Sequence, residues 1–490
     1  MKAGKSHFID NEWIEGTGNS FRSIDPASGE ETWTGRAAQG DEIDRAMAAA
    51  TKALAEWSGL IPEQRIKYLE RFGEQVSAHN NDLAEIISRE TGKPLWEALE
   101  ETAAMVAKIS VSVEAYFDRC RELTGSLKTA RTVVRFKPHG VVAVLGPFNL
   151  PGHLPNGHIA PALLAGNTVV FKPSSQTPLV AQRMVELWEA TGLPKGVLNL
   201  IQGRRETGAG LASHPGLDGL YFTGSYATGH ALHASFAGHP EKILALEMGG
   251  NNPLVAHEVS DVSAAVYVTI LSAFITSGQR CTCARRLIVP RGAAGDEFID
   301  HIITSIRKIH IGPYTDDPEP FMGPVISEGA ARALMSAQEH LLAEGAVPLV
   351  AMTRLPRPGA FLTPGLVDVT LVKDRPDVEL FGPFLQVVRV ADFDEAILEA
   401  NRTAYGLAAG LLSDNAALYH RFLNGVQAGV INWNRQTTGA SGRMPFGGVK
   451  GSGNHRPSGY YAVDYCSYPV ASIEQDHVQM EHPLLPGIDL

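Results

Sequence analysis

Cysteine is scarce in this chain. Four of its 490 residues are cysteines, namely Cys120, Cys281, Cys283 and Cys466. So few thiols favour a reducing compartment and argue against a scaffold held by disulfides. Although Cys281 and Cys283 form a Cys-x-Cys pair, no nearby Cys or His pair supplies the further ligands that zinc requires, so the sequence predicts no metal site.

Long apolar runs and long basic runs are also lacking. No segment reaches the roughly 18 apolar residues that span a bilayer, and the first residues lead into no apolar stretch of the kind found in signal peptides. No basic stretch exceeds two residues and the net charge is −11, which argues against a nucleic-acid partner. We therefore expect a cytoplasmic protein that has neither a membrane nor a nucleic acid as partner.

The composition is that of an ordinary globular protein, with 44% apolar and 19% charged residues. A chain of this length exceeds one hydrophobic core, so two or three domains are expected. Helical periodicity dominates the first quarter of the chain. Asp41 is predicted to cap a first helix, Pro62 to open a second, and a third to run broadly from Pro94 to Arg121.

Short apolar runs begin near residue 140 and alternate with helical stretches. Each run is too short for a buried helix and is rich in strand-forming residues; the runs are 141–145, 168–171, 197–201, 219–222 and 243–246. Strands that alternate with helices predict a doubly wound parallel sheet, with its ligand at the carboxyl ends of the strands. A second α/β unit is predicted to begin near Asn252 and to continue to about Asn432.

The segment 127–137 alternates like an exposed strand. Together with the tail after Gly459 it has no evident core of its own. Because unpaired strand edges are usually covered by a partner, this pattern predicts an oligomer.

Two reactive side chains stand in unusual surroundings. Cys281 lies in the turn-rich segment Ser-Gly-Gln-Arg-Cys-Thr-Cys, and Glu247 ends an apolar run upstream. A thiol and a carboxylate are the minimum equipment for covalent catalysis with a base that activates water. Each also has a plainer explanation, since most cysteines are packing residues and the glutamate could form a structural salt bridge. Asn149, in Gly-Pro-Phe-Asn-Leu-Pro, could likewise serve only its turn.

Glycines in the segment 222–229, Phe-Thr-Gly-Ser-Tyr-Ala-Thr-Gly, fall between a predicted strand and a predicted helix. Such a turn lets the backbone approach a phosphate at the helix amino terminus. The usual dinucleotide fingerprint, Gly-x-Gly-x-x-Gly, is not matched, so the glycine pattern alone is weak.

Taken together and in order, these segments resemble the aldehyde dehydrogenase superfamily. Further matching segments are Lys-Pro-Ser-Ser at 172–175, Glu-Leu-Phe-Gly at 379–382 and Pro-Phe-Gly-Gly at 445–448. The resemblance implies two doubly wound parallel-sheet domains and a small β oligomerisation arm. It also implies that Cys281 is the nucleophile, Glu247 the general base, and Asn149 an oxyanion donor beside the backbone N–H of Cys281.

The same resemblance divides the chain into three parts. It implies a dinucleotide-binding domain (1–122 and 139–248), a catalytic domain (249–445), and an oligomerisation arm with a tail (123–138 and 446–490). The expected assembly is a homodimer or a dimer of dimers.

The resemblance implies NAD as cofactor. The residues that match cofactor-binding positions are Lys172, Ser175, Gly224, Ser225, Tyr226, Ala227, Thr228, Gly229, Glu379 and Phe381. One departs from the pattern: NAD-dependent members often carry a glutamate where this chain has Ser175. Serine leaves room for a 2′-phosphate, which Lys172 could pair with, so use of NADP stays open.

Within the family, the segments around Asn149, Glu247 and Cys281 and the late segment 452–458 are most similar to a bacterial branch. Its members oxidise N-succinyl-L-glutamate 5-semialdehyde to N-succinyl-L-glutamate in arginine catabolism. That substrate carries two carboxylates, so cationic residues are expected in its pocket; the candidates are His153, Arg285, Arg435 and His455. Alternatives are another acidic semialdehyde such as succinate semialdehyde, a cysteine hydrolase, or a silent structural member.

Overall fold

The computed structural model describes residues 6–480 and 485–488, so the outermost ends of the predicted first domain and tail lie outside the described residues. Two seven-stranded, mainly parallel sheets with helices packed against them make up most of the described chain. This architecture confirms the predicted α/β class.

Four short strands, four helices and two further strands form the amino-terminal part. Their bounds are β1 His7–Ile9, β2 Glu12–Ile14, β3 Ser20–Ile24, β4 Glu31–Arg36, α1 Gly40–Gly59, α2 Pro62–Ala78, α3 Asn80–Thr91, α4 Leu95–Arg119, β5 Leu123–Ser126 and β6 Arg131–Pro138. Pro62 opens α2 as predicted, because the first turn of a helix needs no N–H from that residue.

Helix α1 begins earlier than predicted. The expected cap, Asp41, lies inside the helix, and Gln39 precedes its first residue. The backbone N–H of Gln39 donates to Oε2 of Glu42 at 2.8 Å, which is half of a capping box. The prediction also missed α3 entirely, because its apolar stripe merges in the sequence with those of the neighbouring helices.

The first large sheet has the strand order β11-β10-β7-β8-β9-β1-β2. Strands β7 to β11 are parallel, and β1 joins β9 antiparallel at the edge. Its elements are β7 Val141–Leu145, α5 His153–Ala165, β8 Thr168–Lys172, α6 Pro178–Glu189, β9 Leu198–Leu200, α7 Arg205–Ala212, β10 Gly219–Gly224, α8 Tyr226–Phe236 and β11 Ile243–Met248. All five apolar runs predicted as strands are confirmed.

The second large sheet has the order β14-β15-β16-β13-β12-β17-β18, with only β14 antiparallel among these described strands. Its elements are β12 Asn252–Ala256, α9 Val262–Phe274, a 3₁₀ turn Ile275–Gly278, β13 Ala284–Pro290, α10 Ala293–Ile306, α11 Glu328–Ala343, β14 Val347–Val350, β15 Gly365–Asp368, β16 Phe384–Val390, α12 Phe393–Asn401, β17 Ala408–Leu412, α13 Ala416–Gly425 and β18 Val430–Trp433. This confirms the second α/β unit predicted from Asn252 onward.

The tail returns to the first half of the chain. It contains β19 Pro445–Phe446, β20 Ser458–Gly459 and β21 Ser467–Glu474. Strand β21 pairs antiparallel with β6 over its whole length, and β5 pairs on the other side of β6. Every residue of β5 is exposed. The arm predicted near residue 130 is therefore a three-stranded sheet, while its role in an oligomer stays a prediction.

Two strands place the site between the large sheets. Strand β11 ends at Met248 and β12 begins at Asn252, so only three residues connect the sheets at this point. The carboxyl ends of β7, β10 and β11 lie side by side because these strands are parallel neighbours. Within the described ranges, no helix is both long enough and apolar enough to cross a bilayer.

Candidate active site

A strained turn presents Cys281. After α9, the residues Thr276 and Ser277 both adopt the left-handed region, with φ of 55° and 53°. Gly278 follows at φ +71°, and a Cβ there would lie 2.0 Å from the carbonyl oxygen of Gly382. Only glycine fits such a position. Backbone strain of this kind persists where the surroundings hold it, and it is common at functional sites.

Buried side chains hold this turn in place. Asn252 donates to the carbonyl oxygens of Cys281 and Cys283 at 2.8 and 2.9 Å. Ser277 donates to Gly323 at 2.7 Å, and Arg285 donates to the carbonyl oxygens on either side of Gln279 at 2.6 and 3.0 Å. The backbone around Cys281 is thus fixed from three directions. The neighbouring Cys283 is fully buried, in line with a packing role.

Glu247 lies against the thiol of Cys281. It is 1% exposed near the end of β11, and the neighbouring Cys281 thiol acts on its pKa. Its Oε1 has no hydrogen-bond partner among the described residues. Burial raises the pKa of Glu247 to about 8. Burial, together with the negative charges of Glu247 and Glu379, raises the pKa of the Cys281 thiol well above its usual range. Glu247 can therefore hold or release a proton near neutral pH.

Asn149 lines the same cavity as Cys281 and Glu247 and is itself 5% exposed. Its turn is tied down by an ion pair, because Nζ of Lys93 donates to the Asn149 carbonyl at 2.7 Å and to Glu101 at 2.6 Å. Glu101 also accepts from the backbone N–H of Gly152 and of His153. The sequence did not predict this buried ion pair of Lys93 and Glu101, because two residues eight positions apart produce no periodic pattern.

A first cavity, the strand-end cavity, has a volume of about 440 Å³. It is formed where strands of the first sheet end; its lining is Gly146, Pro147, Phe148, Asn149, Leu154, Ser174, Phe222, Thr223, Gly224, Ser225, Thr228, Glu247, Gly249, Cys281, Glu379 and Phe381. Five of the predicted cofactor residues are in this lining: Gly224, Ser225, Thr228, Glu379 and Phe381.

The other predicted cofactor residues lie beside the strand-end cavity and not in its lining. Lys172 ends β8, donates to the Pro173 carbonyl at 2.8 Å, and has its pKa lowered to about 8 by burial. Ser174 lines the cavity where Ser175 does not. Tyr226, Ala227 and Gly229 belong to the first turn of α8, behind the cap formed by the Ser225 hydroxyl, which accepts from the N–H of Thr228.

Glu379 occupies a narrow space against the backbone. It accepts from the N–H of Gly250 at 3.2 Å, and its carboxylate lies 3.7 Å from Arg285. A Cβ at Gly249 would fall 1.8 Å from Oε2 of Glu379, so glycine is required for this approach. Burial raises the pKa of Glu379 to about 7, and Arg285 opposes that rise.

A second cavity, the α4 cavity, has a volume of about 260 Å³ and lies on the other side of Cys281. Its lining combines α4 with distant loops: Glu97, Glu100, Glu101, Ala104, Lys108, Leu150, His153, Leu154, Arg280, Cys281, Thr282, Thr438, Ala440, Ser441, Gly442, Phe446, Ser458 and Gly459. Cys281 and Leu154 line both cavities, so the thiol stands at their junction.

Of the four predicted substrate residues, one lines the α4 cavity. His153 does so, with Nδ1 lacking a partner within the described residues. Burial, aided by Lys108, Arg280 and Lys93, lowers its pKa to about 4, so its ring is neutral.

The other three line neither cavity, and their role toward the substrate stays a prediction. Arg285 is fully buried and binds backbone carbonyls and Glu379, so its charge holds the Cys281 turn. Arg435 and His455 are exposed and line neither cavity. The cations that do line the α4 cavity, Lys108 and Arg280, were not predicted.

Comparison with known proteins identifies the class. The family model described as "Aldehyde dehydrogenase family" matches residues 13–470. The chain belongs to the aldehyde dehydrogenase family.

Particular relatives cover almost the whole chain. The N-succinylglutamate 5-semialdehyde dehydrogenase of Pseudomonas fluorescens (strain Pf0-1) is 56% identical over 485 residues, which are 99% of each chain. Among solved structures, HpcC from Thermus thermophilus is 30% identical, with a TM-score of 0.91 over 98% of this chain and 95% of that one. Betaine aldehyde dehydrogenase from Staphylococcus aureus in complex with NAD+ is 28% identical, with a TM-score of 0.90 over 99% and 97%.

Proposed function

We propose that the enzyme oxidises N-succinyl-L-glutamate 5-semialdehyde to N-succinyl-L-glutamate, with a nicotinamide dinucleotide as oxidant. One observation carries the chemistry: the thiol of Cys281, beside the carboxyl of Glu247, stands at the junction of two cavities. The substrate is proposed from the relative named for it, which matches this chain from end to end.

The strand-end cavity suits a dinucleotide. The turn between β10 and α8 opens the amino terminus of an 11-residue helix at the cavity, where backbone N–H groups favour a phosphate. Glu379 reaches the same cavity and offers a carboxylate to a ribose hydroxyl. Lys172 and Ser175 are proposed for the adenosine ribose. When bound, the cofactor accepts hydride from the substrate carbon. NAD is our proposal, supported by the NAD+ complex of the Staphylococcus relative.

The first half of the reaction forms a bond to sulfur. Glu247 is positioned to take the proton of the Cys281 thiol, and the thiolate then adds to the aldehyde carbon. The carbonyl oxygen becomes an oxyanion, for which the side-chain amide of Asn149 and the backbone N–H of Cys281 supply hydrogen bonds. Loss of hydride from this adduct leaves a thioester on Cys281.

The second half removes the acyl group. Glu247 first releases to solvent the proton that it took from the thiol. It then takes a proton from water, and the resulting hydroxide adds to the thioester carbon. The carbon–sulfur bond breaks, and the acid leaves with Cys281 again a thiolate. A carboxyl whose pKa lies near 8 suits this work, because it is a stronger base than an ordinary glutamate and is still ionised in part at neutral pH.

The domain division and the assembly also stand as proposals. We assign 1–122 and 139–248 to dinucleotide binding, 249–445 to catalysis, and 123–138 with 446–490 to an oligomerisation arm and tail. The exposed strand β5 at the edge of the arm supports a homodimer or a dimer of dimers.

A substrate panel tests the proposal. N-succinylglutamate semialdehyde, glutamate semialdehyde and succinate semialdehyde are each assayed with NAD and with NADP. We expect the highest kcat/KM with the first aldehyde and NAD. Equal values for the three aldehydes would contradict the substrate assignment, and ester hydrolysis with no dinucleotide binding would support a cysteine hydrolase in its place.

A further inference from the structure

The α4 cavity contains a buried cation without an acidic partner. Lys108 lies on α4, is 3% exposed, and donates from Nζ to the carbonyl oxygen of Gly459 at 2.7 Å. Within residues 6–480 and 485–488, no carboxylate oxygen lies within 4 Å of this ammonium. A neutral carbonyl satisfies one of its three N–H donors and does not neutralise its charge.

The other buried charges of this cavity are already paired. Arg280 lies 2.7 Å from Glu97, and Glu101 lies 2.6 Å from Lys93. The remaining acid in the lining, Glu100, is exposed to solvent. Lys108 is therefore the source of uncompensated positive charge inside the cavity.

Such an ammonium is costly to keep in an apolar interior. Burial lowers the pKa of Lys108 to about 8, which is the expected response to that cost. The neighbouring His153 is affected by the same charge, since Lys108 is the first of the three cations that lower its pKa. An anion in the cavity would pair with the Lys108 ammonium. This ion pair would stabilise the charge of Lys108 and would favour binding of the anion.

The position of Lys108 relates this charge to the chemistry. Lys108 and Cys281 line one cavity of about 260 Å³, and the hydroxyl-bearing residues Ser441 and Ser458 line it with them. An aldehyde held at the thiol can thus extend a polar, negatively charged end toward α4.

We propose that Lys108 is a specificity-determining residue that binds a carboxylate of the aldehyde substrate. Its ammonium forms an ion pair with the carboxylate when the substrate enters the α4 cavity, and the enzyme thereby selects acidic aldehydes over neutral ones. This inference rests on the proposed oxidation of an acidic semialdehyde, and it assigns the selection to a residue of α4.

Two substitutions test the assignment. Lys108→Met removes the charge, whereas Lys108→Gln removes it but retains a donor for the Gly459 carbonyl. Lys67→Met makes the same change at an exposed lysine of α2 and serves as control. We expect both Lys108 variants to lose about 10- to 100-fold in kcat/KM for N-succinylglutamate semialdehyde, mainly through KM, as for one charge-assisted hydrogen bond. For hexanal, which is neutral, both Lys108 variants should have the same kcat/KM as the wild type.

Binding supplies a readout that does not depend on turnover. Calorimetric titration with N-succinylglutamate should show the same loss of affinity in both variants, while melting temperatures report any folding defect. Equal losses for hexanal and the acidic aldehyde, or recovery of activity in Lys108→Gln, would show a structural role and overturn the inference. Unchanged binding and selectivity in the variants would do the same. If the wild type itself prefers hexanal, the proposed function fails instead.

Discussion

The two cavities that meet at Cys281 are built in opposite ways. The strand-end cavity is shaped by backbone: strand ends, glycines and a helix amino terminus form it, and its acids are Glu247 and Glu379. The α4 cavity is shaped by side chains from a long helix and from loops far apart in the chain, and among the described residues its unpaired buried charge is the cation Lys108. The difference indicates that residues of short local motifs carry out the reaction common to the family. Residues that lie far apart in the sequence determine which substrate is selected.

The largest effect should follow from removing the atom that the two cavities share. We expect Cys281→Ala to lower aldehyde oxidation by about 10⁴-fold or more, because no covalent adduct can form. Dinucleotide and N-succinylglutamate should still bind, since both cavities remain. Steady-state assays and calorimetric titrations check this expectation.

Cys283→Ala is the matched control, two residues along the same turn. This thiol is fully buried and lines neither cavity. The control should lose some stability and keep its turnover. Substantial oxidation by Cys281→Ala would mean that another nucleophile serves the site.

A second substitution should affect the strand-end cavity alone. In Gly249→Ala, the new methyl would lie 1.8 Å from Oε2 of Glu379, so the carboxylate must move and leave the N–H of Gly250. Overpacking of this kind costs about 1–3 kcal/mol, which corresponds to a rise of roughly 5- to 150-fold in the Kd for the dinucleotide. Binding of N-succinylglutamate should change little.

The control for that variant is Gly40→Ala, at the first residue of α1, where an added Cβ meets nothing within 4 Å. Fluorescence titration with NAD compares the two proteins. A normal Kd in Gly249→Ala would show that Glu379 takes no part in holding the dinucleotide.

A further substitution concerns Glu247, the acid on which the proposed deacylation depends. Because the pKa of Glu247 is raised to about 8, the wild-type rate of thioester hydrolysis should increase with pH up to that value. In Glu247→Gln, the increase should be absent and the acyl-enzyme should accumulate. Rapid-quench measurements at a series of pH values on both sides of this pKa test the expectation.

Stability should respond in the opposite direction. The pKa of Glu247 is higher in the folded protein than in the unfolded one. Its contribution to the free energy of unfolding is therefore full below the unfolded pKa of 4.5 and is lost as pH rises through about 8. Since glutamine does not titrate, the variant Glu247→Gln does not lose this contribution. As pH rises across this window, its melting temperature should therefore increase relative to that of the wild type. A constant difference between the two proteins would show that the carboxyl is not perturbed.

Several parts of the fold and site could be predicted from local sequence. The five apolar runs of the first sheet are confirmed because a strand buried on both faces needs a continuous apolar run. Gly224 and Ser225 could be predicted as cofactor-binding residues because few residue types suit a turn between a strand and a helix. The Lys93–Glu101 pair and Lys108 could not be found in this way. Their roles depend on which carbonyls and carboxylates lie beside them after α4 packs against α5.

Arg285 is a residue for which the sequence suggested one role and the tertiary structure shows other contacts. In the sequence it is a cation four residues from the nucleophile, and a carboxylate-binding role is reasonable. In the structure its guanidinium faces the backbone of the Cys281 turn and the carboxylate of Glu379. Sequence distance does not specify the direction of a side chain, because β13 places successive residues on opposite faces of its sheet.

By itself, the sequence determined the α/β class, the family and the motifs that carry the thiol, the acid and the amide. The α/β class follows from apolar periodicity and turn chemistry, which act within a few residues. The family and the roles of the motifs follow from the resemblance of short segments to those of known proteins. The tertiary structure alone decided that Cys281 divides two cavities, that Glu247 is buried against it, and that Lys108 is left without a counter-charge. Burial and electrostatic pairing depend on neighbours far away along the chain, so they come into existence only when the chain has folded.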